Sequence, residues 1–131
     1  MPSTTLDLTS LASCRAFGAA MCAEHPRLEV LCLNAGRGGA KGDPRDERGG
    51  MESVMLTNVY GHLALAAALL PLLKAAPAAR VVTQSSGARF RAKVEKVRDL
   101  DGTDAAAFNN FDQYCLSKAA CVLMTQASHG P

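Results

Sequence analysis

Two stretches of this 131-residue chain, Glu29-Val30-Leu31-Cys32-Leu33 and Arg80-Val81-Val82-Thr83-Gln84-Ser85, carry runs of apolar residues without alternation. A strand with one wet face alternates polar and apolar residues, whereas a continuous run is how a parallel strand covered on both faces reads. Between them, from Met51 to about Lys74, lies a long helical pattern, apolar on nearly every face in its second half and therefore expected to be buried. Parallel neighbours cannot be joined by a tight turn and need a crossover, usually a helix. Strand, long helix, strand thus predicts an α/β fold with a parallel sheet.

The remaining segments fit that frame. Thr4 to Leu8 reads as the end of a strand, and Thr9 or Ser10 can cap the helix that follows. From Leu11 to about Glu24 the apolar positions recur at helical spacing until Pro26 stops them. In the long helix, Pro71 should introduce a kink or end the regular part. Asn58 and Gly61 are poor interior helix residues, costing up to about 1 kcal/mol each relative to Ala. A buried Asn also needs hydrogen-bond partners, so this local violation is expected at a functional position. The segment from Gly36 to Gly50 holds six of the eleven glycines and reads as a loop. Its Gly36-Arg37-Gly38-Gly39-Ala40-Lys41 invites a phosphate-loop reading, but the Gly-Lys-Ser/Thr ending and a following helix are both lacking. Residues 89–99 alternate Arg89, Arg91, Lys93, Lys96 and Arg98 with small or apolar positions, as a solvated loop or a membrane- or phosphate-facing patch would. Asn109 to Asp112 offer caps for a last helix through Met124.

Composition narrows the function classes. The length suits one domain, residues 1–131, and not two. A net charge of +2 is too mild to imply a nucleic-acid partner. Five cysteines (Cys14, Cys22, Cys32, Cys115, Cys121) form no C-x-x-C pair, which points to a reducing, intracellular, cytoplasmic setting. His25, His62 and His129 lack metal-ligand spacing, so no metal site is expected. The N-terminus has no signal-peptide pattern. The longest apolar run, Leu63 to Leu73, falls short of the about 20 residues a spanning helix needs, so no transmembrane segment is expected.

The chemistry-bearing pair is Tyr114 and Lys118 in Tyr114-Cys115-Leu116-Ser117-Lys118. Four residues apart on a helix, they share a face at about 6 Å along the axis. An ammonium there favours the phenolate. Moving a phenol from about 10 to near 7 takes roughly 4 kcal/mol of differential stabilisation, at about 1.4 kcal/mol per unit. Such a group suits proton transfer to or from an alcohol or carbonyl oxygen. Alone, the pair also fits an exposed helix face.

The order of motifs decides between the two. Asn34-Ala35-Gly36 after a strand, then Thr57-Asn58-Val59-Tyr60-Gly61-His62, then Val81-Val82-Thr83-Gln84-Ser85-Ser86, then Tyr114-Cys115-Leu116-Ser117-Lys118, resembles the short-chain dehydrogenase/reductase family over nearly the whole chain. The Leu-Asn-Ala-Gly form and the Gly61-His62 pair are most similar to its retinol-dehydrogenase-like branch. The resemblance implies a Rossmann-like, doubly wound parallel sheet. It also implies hydride transfer between NAD(P)(H) and a small-molecule alcohol or carbonyl, with NADP favoured by the resemblance alone. By position Tyr114 would be the acid/base. Lys118 would assist it and hold the nicotinamide ribose. Ser86 would hydrogen-bond the reacting oxygen, and Asn58 would position a water in the proton path to Lys118. Asn34, Ala35 and Gly36 would line the cofactor, and Asp7 in Leu6-Asp7-Leu8 would contact adenine.

The resemblance is to a central slice of that fold. The 131 residues contain no Thr-Gly-x-x-x-Gly-x-Gly turn and stop just past the Tyr114 helix, so the sheet is expected to be incomplete. Val30–Leu33 and Val81–Ser85 should remain as a two-stranded parallel pair, marginal in water. Two classes therefore stand side by side: an oxidoreductase given incompletely, or an inactive short product acting as a binding or dimer-forming fragment. A homodimer would use the helices at 51–74 and 112–127.

Overall fold

The computed structural model describes residues 5–38, 52–103 and 108–128. The glycine-rich, charged stretch from Gly39 to Gly50 lies outside them. The first helix, α1 (Leu11–Glu24), starts where Ser10 Oγ accepts a hydrogen bond from the Ser13 amide. Strand β1 (Val30–Leu33) follows, then a helical rod from Ser53 to Ala75, strand β2 (Arg80–Thr83), two 3₁₀ segments (Gly87–Arg91 and Val94–Asp99), and a last helix. That last helix, called α4 below, spans Asn110–Ala127 and is capped by Asn109, whose Oδ1 accepts from the Phe111 and Asp112 amides.

The rod has three parts. Helix α2 (Ser53–Met55) is started by Glu52, fully buried, whose two carboxylate oxygens accept from the Val54 and Met55 amides. A π-helical turn, Leu56–Tyr60, follows, and α3 (Gly61–Ala75) completes the rod. The extra residue of a π-turn rotates side chains out of the regular register and marks functional sites disproportionately. Here it spans Asn58, the residue the helix pattern could not accommodate. Pro71 does not end the rod, which runs on to Ala75. The ring costs the bond to the Ala67 carbonyl, and Ala67 and Pro71 are both exposed, so water can replace it.

Strands β1 and β2 pair in parallel, Val30 opposite Arg80 through Leu33 opposite Thr83. One further bond, Gln84 N–H to the Leu33 carbonyl at 3.0 Å, holds their carboxyl ends together. Contrary to the expectation of strands covered on both faces, burial in β1 alternates: Leu31 and Leu33 are buried, Val30 and Cys32 exposed. Val81 and Val82 of β2 are exposed as well. The helices supply one covering layer only, and none of the described residues covers the other face. The core is accordingly small, with Leu31 and Leu33 against Cys14 of α1 and Leu65, Leu69, Leu72 and Leu73 of α3. Each such leucine contributes roughly 1.5–3 kcal/mol on burial. The expected strand end before α1 is not formed by the described residues: Thr5 to Leu8 lead through a turn into the helix, and Thr4 lies outside the described residues.

Two glycines set how closely the layers approach. A Cβ on Gly18 of α1 would stand 2.3 Å from Ala68 Cβ of α3, and one on Gly61 would stand 2.2 Å from the Leu8 carbonyl oxygen. Gly61 therefore reflects backbone contact with the segment bearing Asp7, which outweighs its helix-propensity cost of about 1 kcal/mol.

Helix α3 is less buried than its composition implies. Leu63 and Leu70 are 43% and 45% exposed and face a groove that Val81, Val82 and Met124 also line. By length and composition Ser53–Ala75 could cross a membrane. Half of it is buried inside the fold, and it carries the buried Asn58 and His62, as a core helix can.

Candidate active site

The site lies at the carboxyl ends of β1 and β2, where α4 crosses the π-turn. Asn58 is fully buried there and fills three of the four hydrogen-bonding positions of its amide. Its Oδ1 accepts from the Arg37 N–H at 2.9 Å, and its Nδ2 donates to the Arg37 carbonyl and to Ser117 Oγ, both at 3.0 Å. Asn58 thereby braces the chain after β1 against α4. Both of its donors are thereby spent, while a second Oδ1 lone pair is left to accept from a water. Its main-chain carbonyl accepts from Cys121 Sγ at 3.5 Å.

Lys118 is buried, and a buried ammonium is costly unless hydrogen-bonded. One of its three donors goes to the Gln84 carbonyl at 3.1 Å. Its Nζ lies 5.9 Å from the centroid of the Tyr114 ring, so phenol and ammonium share a face as the four-residue spacing predicts. The helix is tied down at this level, because Ser85 Oγ donates to the Lys118 carbonyl at 2.7 Å. Gly36 completes the cluster. A Cβ there would lie 3.3 Å from Lys118 Nζ and 3.2 Å from Asn58 Oδ1. A side chain would crowd both, and its absence leaves the ammonium approachable.

Ser86 begins the first 3₁₀ segment, its Oγ accepting from the Ala88 amide at 3.2 Å. That bond uses a lone pair and leaves the hydroxyl proton to donate elsewhere. Asn34 and Ala35 are exposed at the carboxyl end of β1, the side on which open parallel sheets bind ligands. Asp7 is tied into the turn before α1, its Oδ1 accepting from Thr9 N–H at 2.9 Å and Thr9 Oγ1 at 2.7 Å. The structure thus gathers Gly36, Asn58, Tyr114 and Lys118 into one cluster, with Ser86 adjoining through Ser85, while the Asp7–Thr9 bonds belong to the start of α1.

Sequence reasoning passed over several contributors. Ser117 links the motifs, accepting from Asn58 and donating to the Tyr114 carbonyl at 2.8 Å. Ser85 and the Gln84 carbonyl anchor Lys118. For Ser117 a signal was available: on a helix it falls one turn from Tyr114 on the same side. Carbonyl partners leave no mark in a sequence. His62, one turn past Asn58, is buried, and its Nδ1 has no hydrogen-bond partner among the described residues. Burial holds its pKa below the ordinary value; the Asn58 main chain opposes this, and the charge of Lys118 reinforces it. Burial raises the Cys115 and Cys121 thiols, so neither has the lowered pKa of an activated nucleophile.

The chain is similar to known proteins in sequence and in fold. The short chain dehydrogenase family matches residues 2–97. Human retinol dehydrogenase 14 is 36% identical over 124 residues, covering 92% of this chain and 34% of its own length. An uncharacterized protein from Mycobacterium paratuberculosis superposes with a TM-score of 0.76 at 32% identity, over 94% of this chain and 41% of that one. The NADP active-site complex of Pseudomonas aeruginosa RhlG does so with a TM-score of 0.66 at 30% identity, over 94% and 44%. The chain spans about a third of the length of the curated relatives it matches.

Proposed function

The chain belongs to the short-chain dehydrogenase family, and from that premise we propose that residues 1–131 carry the proton-transfer half of a nicotinamide-dependent oxidoreductase acting on an alcohol or carbonyl. The observation that supports this most is the Gly36–Asn58–Tyr114–Lys118 cluster, in which a buried ammonium faces a phenol ring at 5.9 Å beside a glycine with no side chain to block it. The residues fit the nicotinamide end of the cofactor. Asn34, Ala35 and Gly36 offer backbone at the end of β1, and two Lys118 donors, without partners among the described residues, can meet ribose hydroxyls. Bound there, the cofactor supplies or accepts the hydride.

The chain's own residues handle the proton. Tyr114 Oη gives it to, or takes it from, the substrate oxygen, and Lys118 stabilises the phenolate side of that exchange. Ser86 Oγ–H donates to the same oxygen and holds it while charge develops. Asn58 keeps Lys118 and Tyr114 in register by fixing α4 to the chain after β1. Its Oδ1, which borders the same space beside Gly36 as the Lys118 ammonium, is the acceptor assigned to a proton-carrying water. Asp7 is assigned to adenine by resemblance. NADP is favoured as the cofactor because a structural neighbour is an NADP complex. An apolar alcohol is favoured as substrate because the curated relatives include retinol dehydrogenases.

The pyrophosphate is held differently. A glycine-rich turn opening a helix supplies a row of N–H donors and the positive end of a dipole, and these 131 residues include no Thr-Gly-x-x-x-Gly-x-Gly turn. Residues 1–131 by themselves are therefore expected to bind NADH or NADPH no tighter than about millimolar, roughly −4 kcal/mol. They are also expected to turn over no alcohol. Fluorescence titration of the purified 1–131 polypeptide checks this; saturable micromolar binding would show that the pyrophosphate cradle is dispensable.

A second reading is favoured by the exposed leucines. Leu63 and Leu70 of α3 and Leu123 of α4, the last 65% exposed, are apolar side chains open to solvent on the two helices proposed for self-association. We expect the chain to form a homodimer through them. Leu70→Glu with Leu123→Glu should shift sedimentation equilibrium to monomer. A wild-type chain that is monomeric at high micromolar concentration would refute the reading.

A further inference from the structure

Residues 87–99 form two consecutive 3₁₀ segments with no buried residue in either. They display Phe90 at 79% exposure, Val94 at 81% and Val97 at 49%, and Phe111 at the start of α4 adds a ring at 49%. Interleaved with these are five cations, Arg89, Arg91, Lys93, Lys96 and Arg98, against Glu95 and Asp99. The surface is organised. The Arg89 guanidinium stacks over the Phe90 ring at 4.1 Å and that of Arg91 over the Phe111 ring at 5.9 Å. Lys93 bonds Asp112 at 2.7 Å, tying the segment to the first turn of α4.

We propose that this surface docks on an anionic lipid membrane. Large apolar side chains with cations along the same short segment are what an interfacial element needs: the apolar groups sink into the headgroup boundary and the cations meet lipid phosphates and carboxylates. Long Arg and Lys stems accommodate this by keeping the charge at the aqueous level. A nucleic-acid backbone would use the cations and stack on the rings, but would have no use for Val94 and Val97. The position adds a reason. Ser86 caps the first 3₁₀ segment, and Phe111 lies one helical turn before Tyr114. The surface therefore flanks both residues proposed to touch the substrate oxygen, and a membrane seated on it would present apolar molecules beside them.

The test is flotation of the purified protein with phosphatidylcholine vesicles, with and without phosphatidylserine, for wild type, Arg91→Glu/Arg98→Glu and Phe90→Ser/Val94→Ser. Wild type should float with the phosphatidylserine vesicles at about 0.1 M salt and be released at about 1 M, where the screening length falls from about 10 Å to 3 Å. Each double variant should partition at least about tenfold less, with unchanged circular dichroism because the altered residues are on the surface. Failure of wild type to float would overturn the proposal and leave further polypeptide or a protein partner as the cover. Equal flotation without phosphatidylserine, or variants that float like wild type, would overturn it too.

Discussion

Tyr114→Phe, made in a polypeptide of the relatives' full length that carries these residues, is expected to lower kcat by about 10²–10⁴-fold, the range for losing a positioned acid/base. Cofactor affinity should stay nearly intact. The substitution removes one oxygen and leaves the ring that Lys118 faces at 5.9 Å. Bonds from Ser117 to the Tyr114 carbonyl and from Asn58 to Ser117 do not involve the phenol, so the cluster keeps its geometry. Steady-state rates with a cofactor titration of the same sample separate the two effects. A variant with near-normal kcat would remove Tyr114 from the role assigned to it.

Lys118→Ala should be more damaging because two functions are lost together. Its Nζ is the buried charge next to the phenol and also the donor assigned to the nicotinamide ribose. A charge-assisted hydrogen bond contributes about 1.5–3 kcal/mol, and the Gln84 carbonyl left unpaired costs about 1–3 kcal/mol more in stability. The expectation is a rate loss of about a hundredfold or more and a cofactor Kd raised about tenfold or more. Lys118→Met keeps most of the buried volume and lacks only the charge and its donors, so it separates chemistry from packing. Cofactor affinity unchanged in Lys118→Met would mean that Lys118 has one role and not two.

Helix limits and strand pairing were legible because they depend on local signals. Leu11–Glu24 is bracketed in the sequence by Thr9 or Ser10 and by Pro26, and the cap candidates Asn109 to Asp112 announce α4; the structure uses Ser10 and Asn109. Parallel pairing of the two apolar strands followed from the helix between them. The open face was not legible from the strands themselves: Val30 and Cys32 read like Leu31 and Leu33, and only the placement of the helices distinguishes them. The rod at 53–75 shows the same limit. Asn58 and Gly61 were recognised as misfits for a helix, but the π-turn and the contact of Gly61 with Leu8 are tertiary facts. Likewise the site was legible as a set of residue types in order. That Asn58 spends its side chain on Arg37 and Ser117, and that Ser85 and Gln84 anchor Lys118, depends on carbonyls and loop backbone that residue names do not encode.

The most direct measurement of the central claim follows the hydrogen itself. The relatives-length polypeptide is incubated with NADPH deuterated at the transferring position of the nicotinamide and a long-chain apolar aldehyde, and the alcohol is analysed by mass spectrometry. One deuterium at the carbinol carbon in the wild-type product, with almost no product from Tyr114→Phe, is the predicted result. Alcohol without deuterium, or as much labelled alcohol from Tyr114→Phe as from wild type, would contradict the assignment of proton transfer to the Tyr114–Lys118 pair.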